Sequence, residues 1–207
     1  MTAFDIKPIT TRTREAAFRL ATEVFARSSS VHAALNVDLE TYRTFLQPFF
    51  NTMVSQNLSL AAFDRSQNML GCLIATDMFD TTEDAAPSGP YPQIGALTQA
   101  LSQRYQRHRT VNAKDVVLVD MAAVHPDATG MGVYKALRAH LERAARNAGW
   151  RYVVGELSSV ATQHVVLQTM GHRNVAEISF EDFTWNDEKP FRHVTSPRSI
   201  ILAEGTL

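Results

Sequence analysis

The segment from Val116 to Val133, VVLVDMAAVHPDATGMGV, constrains this chain more than any other. It begins as an apolar, β-branched run of the kind that fills a largely buried strand. The run breaks at His125-Pro126-Asp127 and passes through a short loop with two glycines, Gly130 and Gly132. Beyond it Val133, Ala136, Leu137, His140, Leu141, Ala144 and Ala145 recur at helical spacing, with Lys135, Arg138, Glu142, Arg143 and Arg146 elsewhere, and Asn147-Ala148-Gly149 marks the stop. The order is therefore strand, glycine loop, helix start. The first turn of a helix leaves backbone N–H groups unpaired, and the aligned peptide dipoles add partial positive charge there. Glycines let a phosphate approach those amides closely. The loop reads equally as a phosphate or pyrophosphate cradle and as a tight turn that needs glycine for its dihedrals.

Two other phosphate loops are excluded. Nothing supplies G-x-x-x-x-G-K-[ST]. A dinucleotide fingerprint needs a third glycine where this chain has Lys135, and it belongs early in a βαβ unit, whereas this loop lies in the second half of the chain.

Around this segment the chain alternates short strands and amphipathic runs. Phe4 to Ile9 predicts a first strand, and Thr11 or Thr13 a cap for a helix carrying Ala17, Leu20, Ala21, Val24 and Phe25 on one face. Arg27 to Ser30 ends that helix, Val31 to Val37 reads as loop, and Asp38 caps a second helical stretch that Pro48 must kink or split. Leu58 to Phe63 and Met69 to Thr76 form a hairpin pair. The segment from Asp77 to Tyr91 is a polar loop whose Asp77, Asp80, Glu83 and Asp84 would attract a cation. Ile94, Leu97, Leu101 and Tyr105 mark a helix with a solvated basic end at Arg104, Arg107 and Arg109. After the central helix come a strand from Arg151 to Leu157 and a short helix from Ala161 to Met170 that stops at Gly171. A long strand follows from Val175 to Trp185, and a last one from Ser199 to Ala203. No internal repeat and no linker divides the chain, so residues 1–207 are expected to form a single domain.

Composition sets bounds on partners. A formal net charge of -1 supplies no field for nucleic acid or an anionic membrane, and no stretch is long and apolar enough to span a bilayer. The lone cysteine, Cys72, excludes an internal disulfide framework and fits a reducing compartment. The expectation is a soluble cytoplasmic protein. The seven histidines show no H-x-x-x-H pair and no cysteine partner, so no metal site is expected. No G-x-S-x-G elbow is present.

The loop resembles the acyl-coenzyme A loop of the GNAT N-acetyltransferase superfamily, in which a strand ends V-x-P and Q/R-x-x-G-x-G/A opens a helix. This chain has Val124-His125-Pro126, then Asp127-Ala128-Thr129-Gly130-Met131-Gly132, with Asp127 where the pattern has a basic or amide residue. The order of elements is similar to that superfamily over essentially the whole chain. Leu58-Ser59-Leu60-Ala61-Ala62-Phe63-Asp64 resembles the Leu-Ser-x-x-Ala-x-Asp strand of its arylalkylamine branch. The resemblance implies an α/β (α+β) fold, with a mixed, mostly antiparallel central sheet flanked by helices. It further implies that backbone amides of Met121, Ala122, Ala123 and Val124 hold a pantetheine arm and polarise a thioester carbonyl. The amides of Ala128, Thr129, Gly130, Met131, Gly132 and Val133 would hold a pyrophosphate, and Tyr134 would stack on or hydrogen-bond the cofactor or pack in the core.

Acyl transfer from a thioester to an amine needs a base, an oxyanion donor and a proton for the thiolate. Asp120, in an otherwise apolar strand on the side of Leu118, Ala122 and Val124, is the first candidate base, since burial raises a carboxyl pKa. Glu156 is the second carboxylate on a core-like strand. His32 lies where the superfamily forms part of its acceptor pocket. Ser159, with Ser158 and Thr162, is a hydroxyl that reads either as a proton donor to the thiolate or as a helix cap. His125 reads as a surface residue. The superfamily's acidic tyrosine falls on Leu167, which cannot donate a proton. The expected function is an acyl-CoA-dependent N-acyltransferase, from acetyl-CoA to a small primary amine, by direct transfer in a ternary complex. Competing readings are a CoA-binding sensor or interaction module of the same fold, or other thioester chemistry on it (O-acylation or decarboxylation). Exposed edge strands near the C-terminus are compatible with a homodimer.

Overall fold

The apolar run at Val116 becomes the spine of the sheet in this computed structural model, which describes residues 4–81 and 88–207. Among the described residues the strands are β1 (Asp5–Pro8), β2 (Leu60–Phe63), β3 (Met69–Asp77), β4 (Val116–Val124), β5 (Tyr152–Leu157), β6 (Arg173–Ser179) and β7 (Ser199–Thr206). They lie in the order β1-β2-β3-β4-β5-β7-β6. Neighbours pair antiparallel except β4 and β5, which run parallel. The helices are α1 (Arg14–Ser28), α2 (Ser30–Ala34), α3 (Leu39–Ser55), α4 (Pro92–Gln106), α5 (Val133–Asn147) and α6 (Val160–Gln163). No described helix is long and apolar enough to cross a membrane.

Strand alternation sorts the core into layers. Val117, Val119 and Val153 turn to one face and pack with Val133, Leu137 and Leu141 of α5. On the other face Val116, Leu118 and Val154 meet Leu97 and Leu101 of α4, and Met121 and Ala123 meet Ala17, Phe18 and Phe50 of α1 and α3. Gly71 of β3 lies under α5, where an added Cβ would sit 2.8 Å from Val133 Cγ1 and 2.9 Å from the Ala123 carbonyl oxygen. Gly71→Val should therefore destabilise the protein by about 2 kcal/mol through overpacking. An unchanged denaturant midpoint would show that the β3–α5 contact has slack.

Two features of register shape the centre of the sheet. Ile74 pairs with Met121 but Ala75 pairs with Val119, so Asp120 is an extra, bulged residue on β4. The β4–β5 ladder runs from Val116↔Tyr152 to Val119↔Gly155 and then ends, although both strands continue. Past that point the two strands part.

Several expectations need correction. Ser30–Ala34 is a short helix and not loop, because the Ser29 side chain caps it by accepting the His32 N–H. Asp38 caps α3 by accepting the Thr41 N–H at 2.8 Å, and the helix continues through Pro48 unsplit, its buried Tyr42 on one side and Phe50 and Val54 on the other. The strand expected to reach Trp185 stops at Ser179, since Phe180 and Phe183 turn into the core beside Phe191. The bulge places Asp120 with Leu118, while Val124 packs towards α5 on the opposite face. Arg138, expected on the polar side of its helix, is fully buried. The cation-attracting loop also fails in part. Asp77 is buried, accepting the N–H groups of Phe79 and Lys114, and Asp80 accepts a hydrogen bond from Gln56. Glu83 and Asp84 lie outside the described residues. Of the basic helix end, Arg109 is spent on structure: it stacks 3.7 Å from the Tyr152 ring centroid and pairs with buried Glu204 at 2.9 Å. Tyr105 and Arg173 also donate to Glu204, a buried carboxylate hub that strand periodicity gave no reason to expect.

Candidate active site

Where β4 and β5 part, a cavity of about 340 Å³ opens through the sheet. Asp120 and Glu156, each one residue past the last β4–β5 pair, face into it. Both are half-buried, and both line the cavity. The α5 side contributes Tyr134 and Arg138. The other side contributes Val24 and Phe25 from α1, Val31 and His32 from α2, Tyr42, Leu46 and Met53 from α3, and Ile94 and Leu97 from α4. The size suits a small organic molecule, and the walls are mostly apolar with a few convergent polar groups.

The carboxylates are perturbed in the same direction. Burial pushes Asp120 up to about 7, opposed by the hydrogen bond it accepts from Thr76 Oγ1 at 2.7 Å. Glu156 has no hydrogen-bond partner among the described residues. Burial, and then repulsion from Asp120, pushes it up to about 8. Two acids that repel across a desolvated gap hold their protons as a pair near neutral pH. They form the kind of group that takes a proton from an amine.

His32 is almost wholly buried between the rings of Phe25 and Tyr42, and burial pulls it down to about 4. It is therefore neutral at ordinary pH. Its Nδ1 meets Ser29 Oγ at 2.9 Å, and its Nε2 is buried without a partner. Such an atom is a hydrogen-bonding group for something that enters the cavity, and too weak a base to deprotonate an alkylamine. Ser159 lines the cavity, but its hydroxyl caps α6, accepting the Thr162 N–H at 3.1 Å. Leu167 packs against Leu157 and Val166 in the turn of π-helix that continues α6. Tyr134 shares that cluster, lines the cavity, and is held above its ordinary pKa by burial. Its phenol stays protonated. Cys72 is fully buried, donates to the Ala17 carbonyl and is pushed up to about 12, so no thiol nucleophile faces the cavity.

The glycine loop leads into α5, on the Tyr134 side of the cavity. Gly130 and Gly132 both have positive φ, +80° and +77°, and open space where a Cβ would stand. Helix α5 starts at Gly132 with no side-chain cap. The amides expected to hold a pyrophosphate divide into two sets. Those of Ala128, Thr129 and Met131 are used locally, by the carbonyls of His125, Pro126 and Ala128. Those of Gly130, Gly132 and Val133 have no partner among the described residues, and neither do the next two, Tyr134 and Lys135, which were not among those expected. The free amides thus begin two residues later than the sequence suggested and run into α5. Asp127, where the pattern has a basic or amide residue, does not oppose an anion at these amides, because its side chain is 91% exposed and turned to His125 at 3.7 Å.

Arg138 had no signal in the sequence. Its guanidinium lies against β5 so closely that a Cβ on Gly155 would fall 2.7 Å from Nη1. Glu142 and His172 surround it at 3.7 and 3.4 Å. A small residue on a core strand and a cation on the helix above it are compatible with this contact, but neither alone predicts it.

The parted parallel pair, the β4 bulge and the glycine turn opening α5 together define the architecture. The chain has the GNAT fold. Over 100% of both chains it matches the C-terminal condensation domain of Ebony in complex with beta-alanyl-dopamine, at TM-score 0.89 and 12% identity. It matches a mosquito arylalkylamine N-acetyltransferase (like 5b) at TM-score 0.77 and 16% identity, covering 99% of this chain and 100% of that one. An agmatine N-acetyltransferase mutant matches at 0.79 and 15%, with the same coverage. No protein-family model and no curated protein sequence matches the chain. The expected GNAT-like sheet flanked by helices is thus present.

Proposed function

We propose that this protein is an N-acyltransferase that moves an acyl group from a coenzyme A thioester to a small primary amine, directly and within a ternary complex. The observation that carries the reading is the carboxylate pair Asp120–Glu156 at the point where β4 and β5 part. There a thioester lying on the free edge of β4 would meet an amine entering from the α1–α4 side. The solved structures of this fold support the reaction class. Their names join it to acetyl transfer on arylalkylamines and agmatine, and to beta-alanyl-dopamine, itself an amide of a small amine.

The chain's own groups supply each requirement. The free amides from Gly130 to Lys135 fit a pyrophosphate, helped by the positive end of α5. The unpaired edge of β4 from Met121 onward presents backbone N–H groups to the thioester carbonyl, which develops the oxyanion. Asp120, with Glu156 beside it, takes a proton from the entering ammonium. The neutral nitrogen then attacks the carbonyl carbon. The C–N bond forms, the C–S bond breaks, the sulfur leaves as thiolate, and the nitrogen releases its second proton to solvent as the amide forms. Tyr134, protonated and on the α5 side of the cavity with the free amides, is the phenol placed to return a proton to that sulfur. It stands in for the tyrosine that Leu167 replaces. The absence of any cavity thiol among the described residues fits direct attack over an acyl-enzyme.

The test is calorimetric titration with acetyl-CoA and with free CoA, followed by an amine panel read by thiol release. Micromolar binding and amine-dependent thiol release are expected. Binding without release for any amine would make the protein a CoA-binding module, and no binding would leave the glycine turn as a turn only.

A further inference from the structure

One carboxylate is enough to deprotonate one amine, and this cavity has two. Asp120 is satisfied by Thr76. The Glu156 side chain, one strand away, is not hydrogen-bonded to any described residue, yet it faces the same space. No cation among the described residues pairs with either carboxylate. Arg138, the buried cation lining the cavity, lies on the α5 side against Gly155 and within 3.7 Å of Glu142. Residues 155 and 156 of one strand point to opposite faces of the sheet, so Glu156 points away from it.

A second ammonium group in the bound substrates would complete the site, and its position is restricted. The α1–α4 side is lined by apolar side chains, the hydroxyls of Ser28, Ser29, Tyr42 and Thr98, and neutral His32, whose unpartnered Nε2 suits a hydroxyl or another uncharged polar group, and no described carboxylate lines it. A cation on that side would be desolvated without a counter-charge. Asp120 and Glu156 each follow directly on Val119↔Gly155, the last pair before the strands part, and are near enough to repel each other, so a nitrogen on Glu156 lies within a few bonds of the one on Asp120. A short diamine acceptor would satisfy both carboxylates but leave the apolar half empty. An acyl group bearing its own amine two or three bonds from the thioester carbon satisfies both and leaves that half for the acceptor's apolar body.

Resting on the acyl-transfer reading, we propose that the donor is an α- or β-aminoacyl thioester whose ammonium is held by Glu156, while Asp120 receives the proton of the acceptor amine. The bond changes are those of acyl transfer, and the donor's ammonium keeps its protons throughout. Glu156 is then the residue that selects the donor.

The test compares β-alanyl-CoA with butyryl-CoA, which has the same chain length with a methyl group in place of the ammonium, using tyramine as acceptor. Wild-type protein should use and bind β-alanyl-CoA at least about tenfold better, the size of one charge-assisted contact of about 1.4 kcal/mol. The N-acetylcysteamine thioesters of the same two acyl groups should show the same order. Glu156→Gln should collapse the preference, with the larger loss on the β-alanyl donor. Equal use of the two donors by the wild type overturns the proposal without any variant, as does a Glu156→Gln loss that is the same for both, which would make Glu156 part of the proton path. In either case acyl transfer itself stands. If acetyl-, butyryl- and β-alanyl thioesters all fail to release thiol with any amine, acyl transfer falls and takes the donor assignment with it.

Discussion

Asp120→Asn should lower kcat by about 10²–10⁴-fold, the range that a positioned general base supplies, while leaving donor affinity within a few-fold. Asparagine keeps the shape and can still accept the Thr76 hydroxyl, so the β4 bulge has no reason to rearrange. The pH dependence separates catalysis from architecture. In the wild type kcat/KM should climb with pH across the interval from about 7 to about 8 in which the pair gives up its protons. Removing Asp120 also removes the repulsion that raises Glu156, so any residual activity should climb at lower pH. Stability should change in the opposite sense. A carboxyl with a raised folded pKa binds its proton more tightly folded than unfolded, so its contribution is full below the unfolded value near 4 and is lost as pH rises through the folded value. The variant should therefore gain thermal stability relative to the wild type at pH 9 and little at pH 4. A stability loss at every pH, with activity falling only in proportion to folded protein, would make Asp120 structural.

Gly130→Glu should abolish donor binding, with affinity falling at least about 100-fold, because placing like charges together costs several kcal/mol. The glycine's Cβ direction is open and its amide is free, so a carboxylate there competes for the ground that a pyrophosphate needs. Gly130 has φ +80°, where any L-residue is strained, at a cost of about 1–2 kcal/mol. Gly130→Ala carries that strain without the charge, and should retain most of the affinity. Titration of both variants with acetyl-CoA, alongside thermal unfolding, divides strain from blockage. Equal affinity in Gly130→Glu and wild type would remove the loop from the donor site.

Most of the elements and the glycine loop were legible in the chain without its fold. An apolar β-branched run, a proline break, two glycines and a helical face are local signals, because strand burial, turn dihedrals and helix amphipathicity are set by residues near one another in the chain. Asp120 and Glu156 were visible for the same reason: a carboxylate in an apolar strand is anomalous wherever it ends up. What those signals add up to was settled by long-range packing. That the two carboxylates meet depends on β4 and β5 being parallel neighbours whose ladder stops at Val119 and Gly155. The bulge that turns Asp120 into the cavity is fixed by β3, far earlier in the chain, through its pairing register. Burial made His32 a neutral hydrogen-bonding group when its unperturbed chemistry offered a base, and spent on structure both Asp77, whose charge suggested attraction for a cation, and Arg109, which read as part of a solvated helix end. Arg138 was misplaced because helical periodicity assigns a charge to water, and only the small face of Gly155 made room for it inside. Desolvation and long-range register are properties of the folded chain, and they determine which polar residues in this protein become chemistry.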